Sequence, residues 1–202
     1  MEFFKLDQLG EGAEASVYRA YSPDTERFYA LKVPHLPWAP TSRLQIQNEG
    51  IRRIQARSPY IVNLIAWNLA GPEPFLALEY ADGGTIGQAI EWYRGMGMRC
   101  DPKYALEIVQ DVLYSLAVVH SRNVIHRDVK PENICRFSNG ELALNDFGLG
   151  RTLSRPPHRQ TKAIVGTPLY AAPEQQAGLG VDHRAESFEM CSTRWPWCIH
   201  ET

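Results

Sequence analysis

Long apolar runs are missing from this chain, and so is any excess of basic charge. No stretch of its 202 residues is long and apolar enough to span a bilayer. That excludes an integral membrane segment within these residues and says nothing about a longer parent chain. The formal net charge is −2, which gives no basic field to recruit nucleic acid or an anionic membrane surface. Cysteine is scarce. Cys100, Cys135, Cys191 and Cys198 form no CxxC pair and no Cys/His metal spacing, so a zinc module and a disulfide scaffold are both excluded. Reduced thiols in a cytoplasmic protein are expected instead. The opening "MEFFKLDQLG" has an early Glu and no apolar core, so no secretory signal is read there. Internal repeats and low-complexity tracts are also absent. What remains is ordinary globular composition, 44% apolar and 22% charged, with length for one large domain or two small lobes.

The first third reads as short strands. "SVYRAY" and "RFYALKV" are rich in aromatic and β-branched residues, with the turn-forming "SPDTE" between them. "YIVNLIAW" and "PFLALEYA" are also strand-like. Residues 43–56 predict a helix with Leu44, Ile51 and Ile54 toward one face. Beyond about residue 85 the pattern changes. Asp101 and Pro102 suit the start of a helix whose Ala105, Ile108, Val109, Val112, Leu116 and Val119 recur at helical spacing. Strands with one helix, then helices with loops, predict an α+β fold of two lobes divided near Gly83-Gly84.

Three places carry chemistry. In "LGEGAEASVY", Gly10 and Gly12 follow Leu9, but strand-like sequence comes next rather than a helix. A hairpin tip that lays backbone N–H groups over phosphates fits this better than a dinucleotide-binding turn, and a plain hairpin fits as well. Lys32 ends "YALK" on a strand, sharing a face with Ala30. It is either a surface residue or a charge held against phosphates, and in the second case Glu49 on the next helix is the carboxylate to hold it. In "HRDVKPEN", Asp128 and Asn133 stand five apart, and Asp146 follows in "DFG". Each alone is an ordinary loop residue. Together they supply what phosphoryl transfer asks for: a carboxylate to take the proton of the attacking hydroxyl, a carboxylate and an amide oxygen for Mg²⁺, and Lys130 to neutralise moving charge.

Taken in order, "LGEGAEASV", "YALK", Glu49, "LEYADGG", "HRDVKPEN", "DFG" and "GTPLYAAPE" resemble a eukaryotic-type Ser/Thr protein kinase catalytic domain. "APEQ" after "VGTPLY" resembles bacterial members. The resemblance implies a β-rich N-lobe over residues 1–81 and a helical C-lobe from residue 82. It implies ATP and Mg²⁺ as cofactors and a protein carrying a Ser/Thr acceptor as partner. Leu9, Gly10, Gly12, Val17 and Ala30 would cover ATP. Lys32 would contact its phosphates and pair with Glu49. Leu78 would back the adenine pocket, and Glu79 to Ala81 would form the hinge that reads adenine. Asp128 would be the catalytic base, with Asn133 and Asp146 as metal ligands. Lys130 and Thr167 point to Ser/Thr acceptors. Arg127 implies regulation by phosphorylation of the activation loop, at Thr161 or alternatively at Thr152 or Ser154; an ordinary loop residue is the other reading of Thr161.

The pattern departs from the family in three places. Ala15 replaces a third glycine. Arg52 and Arg53 stand where the helix usually offers apolar residues, which predicts a different register or loose packing that weakens the Lys32–Glu49 pair. Glu186 stands where an Asp is expected, and "SFEMCSTRWPWCIHET" matches no helix of the family. A C-lobe incomplete beyond residue 185 and an anomalous tail over 186–202 are expected, from a frame change or a genuine short variant. No residue past 186 is expected to anchor the catalytic loop. A catalytically inactive fragment that binds nucleotide or a partner is therefore the alternative to an active kinase. Oligomeric state is open.

Overall fold

A computed structural model of the chain describes residues 1–152, 167–177 and 181–192. Strands β1 (Phe4–Glu11), β2 (Ala15–Ser22) and β3 (Arg27–Pro34) form an antiparallel meander. Helix α1 (Pro40–Gln55) follows, then β4 (Leu64–Asn68) and β5 (Phe75–Glu79). The strands make one sheet in the order β1-β2-β3-β5-β4. Its register sets Val17 opposite Lys32 and Lys32 opposite Leu76, and pairs Ala30 with Leu78 in the next row of the same face.

Helix α1 turns a different face inward than its apolar spacing predicts. Leu44, Ile51 and Ile54 are 55%, 38% and 54% exposed, while Ile46, Glu49, Gly50 and Arg53 are buried. The reason is close contact with the sheet. A Cβ on Gly50 would lie 2.5 Å from the Trp67 ring, so only glycine lets this face approach β4. The loose packing predicted from Arg52 and Arg53 is not found, because Arg53 is fully buried and bonded within the lobe.

The helical lobe begins with α2 (Ile86–Gly95), for which the sequence predicted no separate element. It opens on a reciprocal cap between Thr85 and Gln88. Helix α3 (Pro102–Ser121) starts at Asp101, whose carboxylate accepts from Lys103 N at 2.9 Å. Ala105, Ile108, Val112, Leu116 and Val119 face the core as the spacing predicts. Each Ile, Leu or Val buried there contributes roughly 1.5–3 kcal/mol. Two small ribbons follow: β6 (Val124–Ile125) pairs with β9 (Arg151–Thr152), and β7 (Ile134–Arg136) pairs with β8 (Leu142–Leu144). The segment before β4 stitches the lobes, with Val62 N donating to Leu144 O at 3.0 Å and Leu144 N to Tyr60 O at 2.9 Å.

After a short α4 (Pro173–Gln176), helix α5 (His183–Ser192) runs across residue 186. Met190 joins the main core with Ile108, Leu116 and Phe147. This part of the expected tail therefore packs as a helix of the lobe. Among the described residues, no helix is long and apolar enough to cross a membrane.

Candidate active site

The site lies where β3, α1 and the loops of the helical lobe meet. Lys32 Nζ is 2.9 Å from Glu49 Oε2 and 2.7 Å from Asp146 Oδ1. Burial pulls the Lys32 ammonium toward the neutral form, but Glu49 and Asp146 outweigh it and raise its pKa above the usual lysine value. Burial likewise acts to raise Asp146, and the Lys32 charge and hydrogen bond overcome it, holding the carboxyl well below the usual range. Gly148 N donates to the same Asp146 oxygen, and a Cβ at Gly148 would sit 3.1 Å from it, so a side chain there would crowd the ion pairs.

Below this group, Asp128 is buried and held on both oxygens. Its Oδ1 accepts from Thr167 N at 2.9 Å and Thr167 Oγ1 at 2.6 Å. Its Oδ2 takes Lys130 Nζ at 2.9 Å and Asn133 Nδ2 at 3.0 Å. Lys130 Nζ also donates to Thr167 Oγ1 at 2.8 Å, so a hydroxyl sits between the carboxylate and the ammonium. The two groups are joined by Asn145 N donating to Asn133 O at 2.8 Å. Arg127 and Asp146 both have left-handed backbones, with φ of 67° and 57°. Non-glycine residues hold that conformation only where surroundings over-determine it.

Those surroundings include Glu186, read from the sequence only as a departure from the family pattern, and Glu189, which the sequence did not single out. Glu186, fully buried, accepts from His126 N and, at 2.7 Å, from Arg127 N; His120 Nε2 lies 2.5 Å from its other oxygen. Glu189 accepts from Val129 N at 2.9 Å and Gln175 Nε2 at 2.6 Å. The expectation that no residue past 186 anchors the catalytic loop is overturned by Glu189, and Glu186 itself adds two further contacts. A longer Glu in the expected Asp position still reaches two loop amides, and α5 brings a second carboxylate one turn on. Burial pushes the Glu189 carboxyl up to about 7, with the Glu186 and Asp128 charges adding to the shift.

The residues expected to line the nucleotide site sit in unlike surroundings. Ala30, Leu78 and Ala81 pack in one cluster with Cys135, which the sequence did not assign to the site. Burial pushes the Cys135 thiol up to about 11, so it stays a protonated packing residue. Glu79 ends β5 and accepts from Asn63 Nδ2 at 3.0 Å. Leu9 and Gly10 lie on the exposed β1, Val17 is half-buried on β2, and Gly12 N closes the hairpin onto Ala15 O at 2.9 Å. Thr161 and Ser154 fall outside the described residues, and Thr152 lies on β9.

A five-stranded antiparallel sheet lobe, one helix holding a carboxylate to a strand lysine, and two acidic loops at the lobe junction define the class. The protein kinase domain model matches residues 3–189, and the chain belongs to that family. It is 32% identical over 191 residues to the serine/threonine-protein kinase PknB of Mycobacterium leprae, covering 91% of this chain and 30% of that protein. PknB of Mycobacterium tuberculosis gives 32% over 190 residues, 90% of this chain and 30% of the relative. The serine/threonine-protein kinase pak-1 of Caenorhabditis elegans is 34% identical over 173 residues, 86% of this chain and 29% of the relative. The chain spans about three-tenths of the length of these relatives.

Proposed function

We propose that this chain transfers the γ-phosphoryl group of ATP to Ser or Thr hydroxyls of proteins. One observation carries the reading: Asp128 holds a hydroxyl and an ammonium beside it, and its loop is tied through Asn133 and Asn145 to the Lys32–Glu49–Asp146 group. The Thr167 hydroxyl between Asp128 and Lys130 supports a place where an acceptor hydroxyl can be received. In the reaction, Asp128 takes the acceptor proton as the hydroxyl oxygen bonds to the γ-phosphorus and the bond to ADP breaks. Lys130 offsets charge on the moving group, and Lys32 orients the phosphates. Leu9, Gly10, Gly12, Val17, Ala30, Glu79 and Ala81 surround the nucleotide.

The donor set fits Mg²⁺. Asn133 spends its amide nitrogen on Asp128, which leaves its oxygen for a cation, and Asp146 is held ionised. Among the described residues no cluster of three His, Cys, Asp or Glu side chains forms a metal cage. An amide and a carboxylate completed by phosphates and water is what Mg²⁺ takes. When bound, the ion neutralises phosphate charge and fixes its geometry.

The absent helices of the C-lobe were the ground for the inactive-fragment alternative, and the part of it that concerned a missing anchor for the catalytic loop is met by Glu186 and Glu189. The same reading carries phosphorylation of Thr161, with Arg127 as the phosphate's partner, and a cytoplasmic location, where ATP is available. Incubation of the purified chain with labelled ATP, Mg²⁺ and a generic basic protein tests it, with Asp128→Asn alongside. Label on Ser or Thr that disappears in the variant is expected; equal label in both samples overturns the assignment.

A further inference from the structure

We propose that Arg53 is a positioning residue that closes a ring of polar contacts, locking Glu49 of α1 and the Asp146 loop to each other independently of Lys32. The ring itself rests on geometry alone; the reaction it serves rests on the kinase reading above.

Arg53 is the largest fully buried side chain among the described residues. Its Nε and Nη2 donate to Glu49 Oε1 at 3.1 and 2.9 Å. The same Nη2 donates to Asn145 Oδ1 at 2.7 Å, and Nη1 donates to Val62 O at 3.0 Å. The guanidinium carbon lies 5.5 Å from the centroid of the Phe147 ring. A buried charge is tolerated only when compensated and hydrogen-bonded, and this one is both. An apolar residue of equal size would leave a carboxylate oxygen, an amide oxygen and a carbonyl without these partners. A lysine would supply the charge as a single point and could not reach three separate acceptors.

The contacts close on themselves. Arg53 binds Glu49, Glu49 binds Lys32, and Lys32 binds Asp146. Asp146 is joined by a peptide bond to Asn145, which binds Arg53. Two cations face two carboxylates, so the ring is neutral. Helix α1 cannot move away from the loop without breaking the Arg53–Asn145 contact.

The links are not equivalent once substrate arrives. Lys32 would be drawn to bound phosphates and Asp146 would hold a bound Mg²⁺, so the Lys32–Asp146 contact is the one that would loosen with substrate. The Arg53–Asn145 link involves neither group. Together with Arg52, whose Nη1 donates to Phe147 O at 2.6 Å and Gly148 O at 3.2 Å, it holds α1 and the loop in register while the Lys32–Asp146 contact loosens, and of these two arginines Arg53 is the one that also bonds Glu49. Positioning of this kind is worth about tenfold to a hundredfold in rate or affinity.

The test compares Arg53→Met, Arg53→Lys and Asn145→Ala with the parent chain. Affinity for ATP with Mg²⁺ is read by calorimetry, kcat and KM by label transfer, and Tm by thermal melting. Both Arg53 variants are expected to lose about tenfold or more in ATP affinity and kcat/KM per folded molecule. Asn145→Ala moves the same way, and the Arg53→Met/Asn145→Ala double variant is no worse than Arg53→Met. If Arg53→Met fails to fold, Asn145→Ala decides, since it leaves every charge in place. Unchanged affinity and turnover per folded molecule, with only Tm lowered, would reduce Arg53 to a core residue and overturn the proposal. A parent chain that binds ATP but transfers no label defeats the kinase reading, while the affinity comparison still judges Arg53. A parent chain that binds no ATP overturns both.

Discussion

The upper and lower halves of the site are built on opposite electrostatic plans. Above, Lys32 and Arg53 face Glu49 and Asp146 in a balanced set of ion pairs. Below, Asp128, Glu186 and Glu189 set three buried carboxylates in and beneath the catalytic loop, where Lys130, His120 and backbone N–H groups share the compensation. A balanced set is stable in place over a wide pH range. A crowded one raises at least one carboxyl pKa, and Glu189 is where that falls. The upper half thus provides fixed orientation, and the lower half holds a strained loop by accepting its amides.

The sharpest break in that comparison is Asp128→Asn. The amide oxygen keeps the Thr167 contacts, but the amide nitrogen then faces the donors Lys130 Nζ and Asn133 Nδ2, and the group cannot take a proton. Label transfer is expected to drop by about 10²–10⁴-fold, with ATP affinity nearly unchanged, as read by turnover and calorimetry. Next in size is Glu186→Ala. It removes the acceptor of His126 N and Arg127 N and opens a void beside Arg127, whose left-handed backbone needs that support. Each buried amide left without a partner costs about 1–3 kcal/mol, and thermal melting should register the sum. Glu186→Gln keeps an oxygen for the amides and is expected to melt well above Glu186→Ala.

Much of this was legible beforehand, and the exceptions share a cause. The strands, α3 with its inward residues, and the Lys32–Glu49 pair follow from periodicity and motif spacing, which are local or follow the family pattern. Arg53 was legible only as an oddity. Its partners Asn145 and Val62 are brought to it by the fold, and nothing in "GIRRIQ" announces them. Glu186 was legible only as a departure from the family pattern, and the anchoring contacts of Glu186 and Glu189 were hidden for the same reason, since their amide partners lie about sixty residues earlier in the chain. The inward face of α1 was misjudged because apolar spacing gives way where a glycine permits close approach and a charged pair must be buried.

The pH dependence of stability separates the halves further. Asp146 is depressed, so its contribution is lost only as pH falls through the acid range below its ordinary value of 3.8. Lys32 is raised, so its contribution is lost only above its ordinary value of 10.5. Glu189 titrates near 7 when folded, against an ordinary value of 4.5. The folded chain therefore binds more protons than the unfolded chain between those values, and stability falls as pH rises through that window. The loss is at most ~3 kcal/mol at neutral pH. Melting curves from pH 4.5 to 8 should show it, and Glu189→Gln should flatten the profile. An unchanged slope in that variant would place the titration elsewhere.

The smallest effect is expected on α1, at the face that spacing alone assigned to the core. Ile54 is 54% exposed and Ile46 is 3% exposed, although both are isoleucines on one helix. Ile54→Lys should change stability by no more than ~0.5 kcal/mol, as exposed substitutions do, and lysine is a better helix former than isoleucine. Its stem can still lie along the helix while the charge reaches water. Arg53 one position earlier keeps its contacts with Glu49 and Asn145, because those are made from the buried face, about 100° around the helix from Ile54. Denaturant melts of Ile54→Lys check this directly. A loss of several kcal/mol would mean that the apolar spacing, and not the Gly50–Trp67 approach, sets the rotation of α1 and the aim of Glu49.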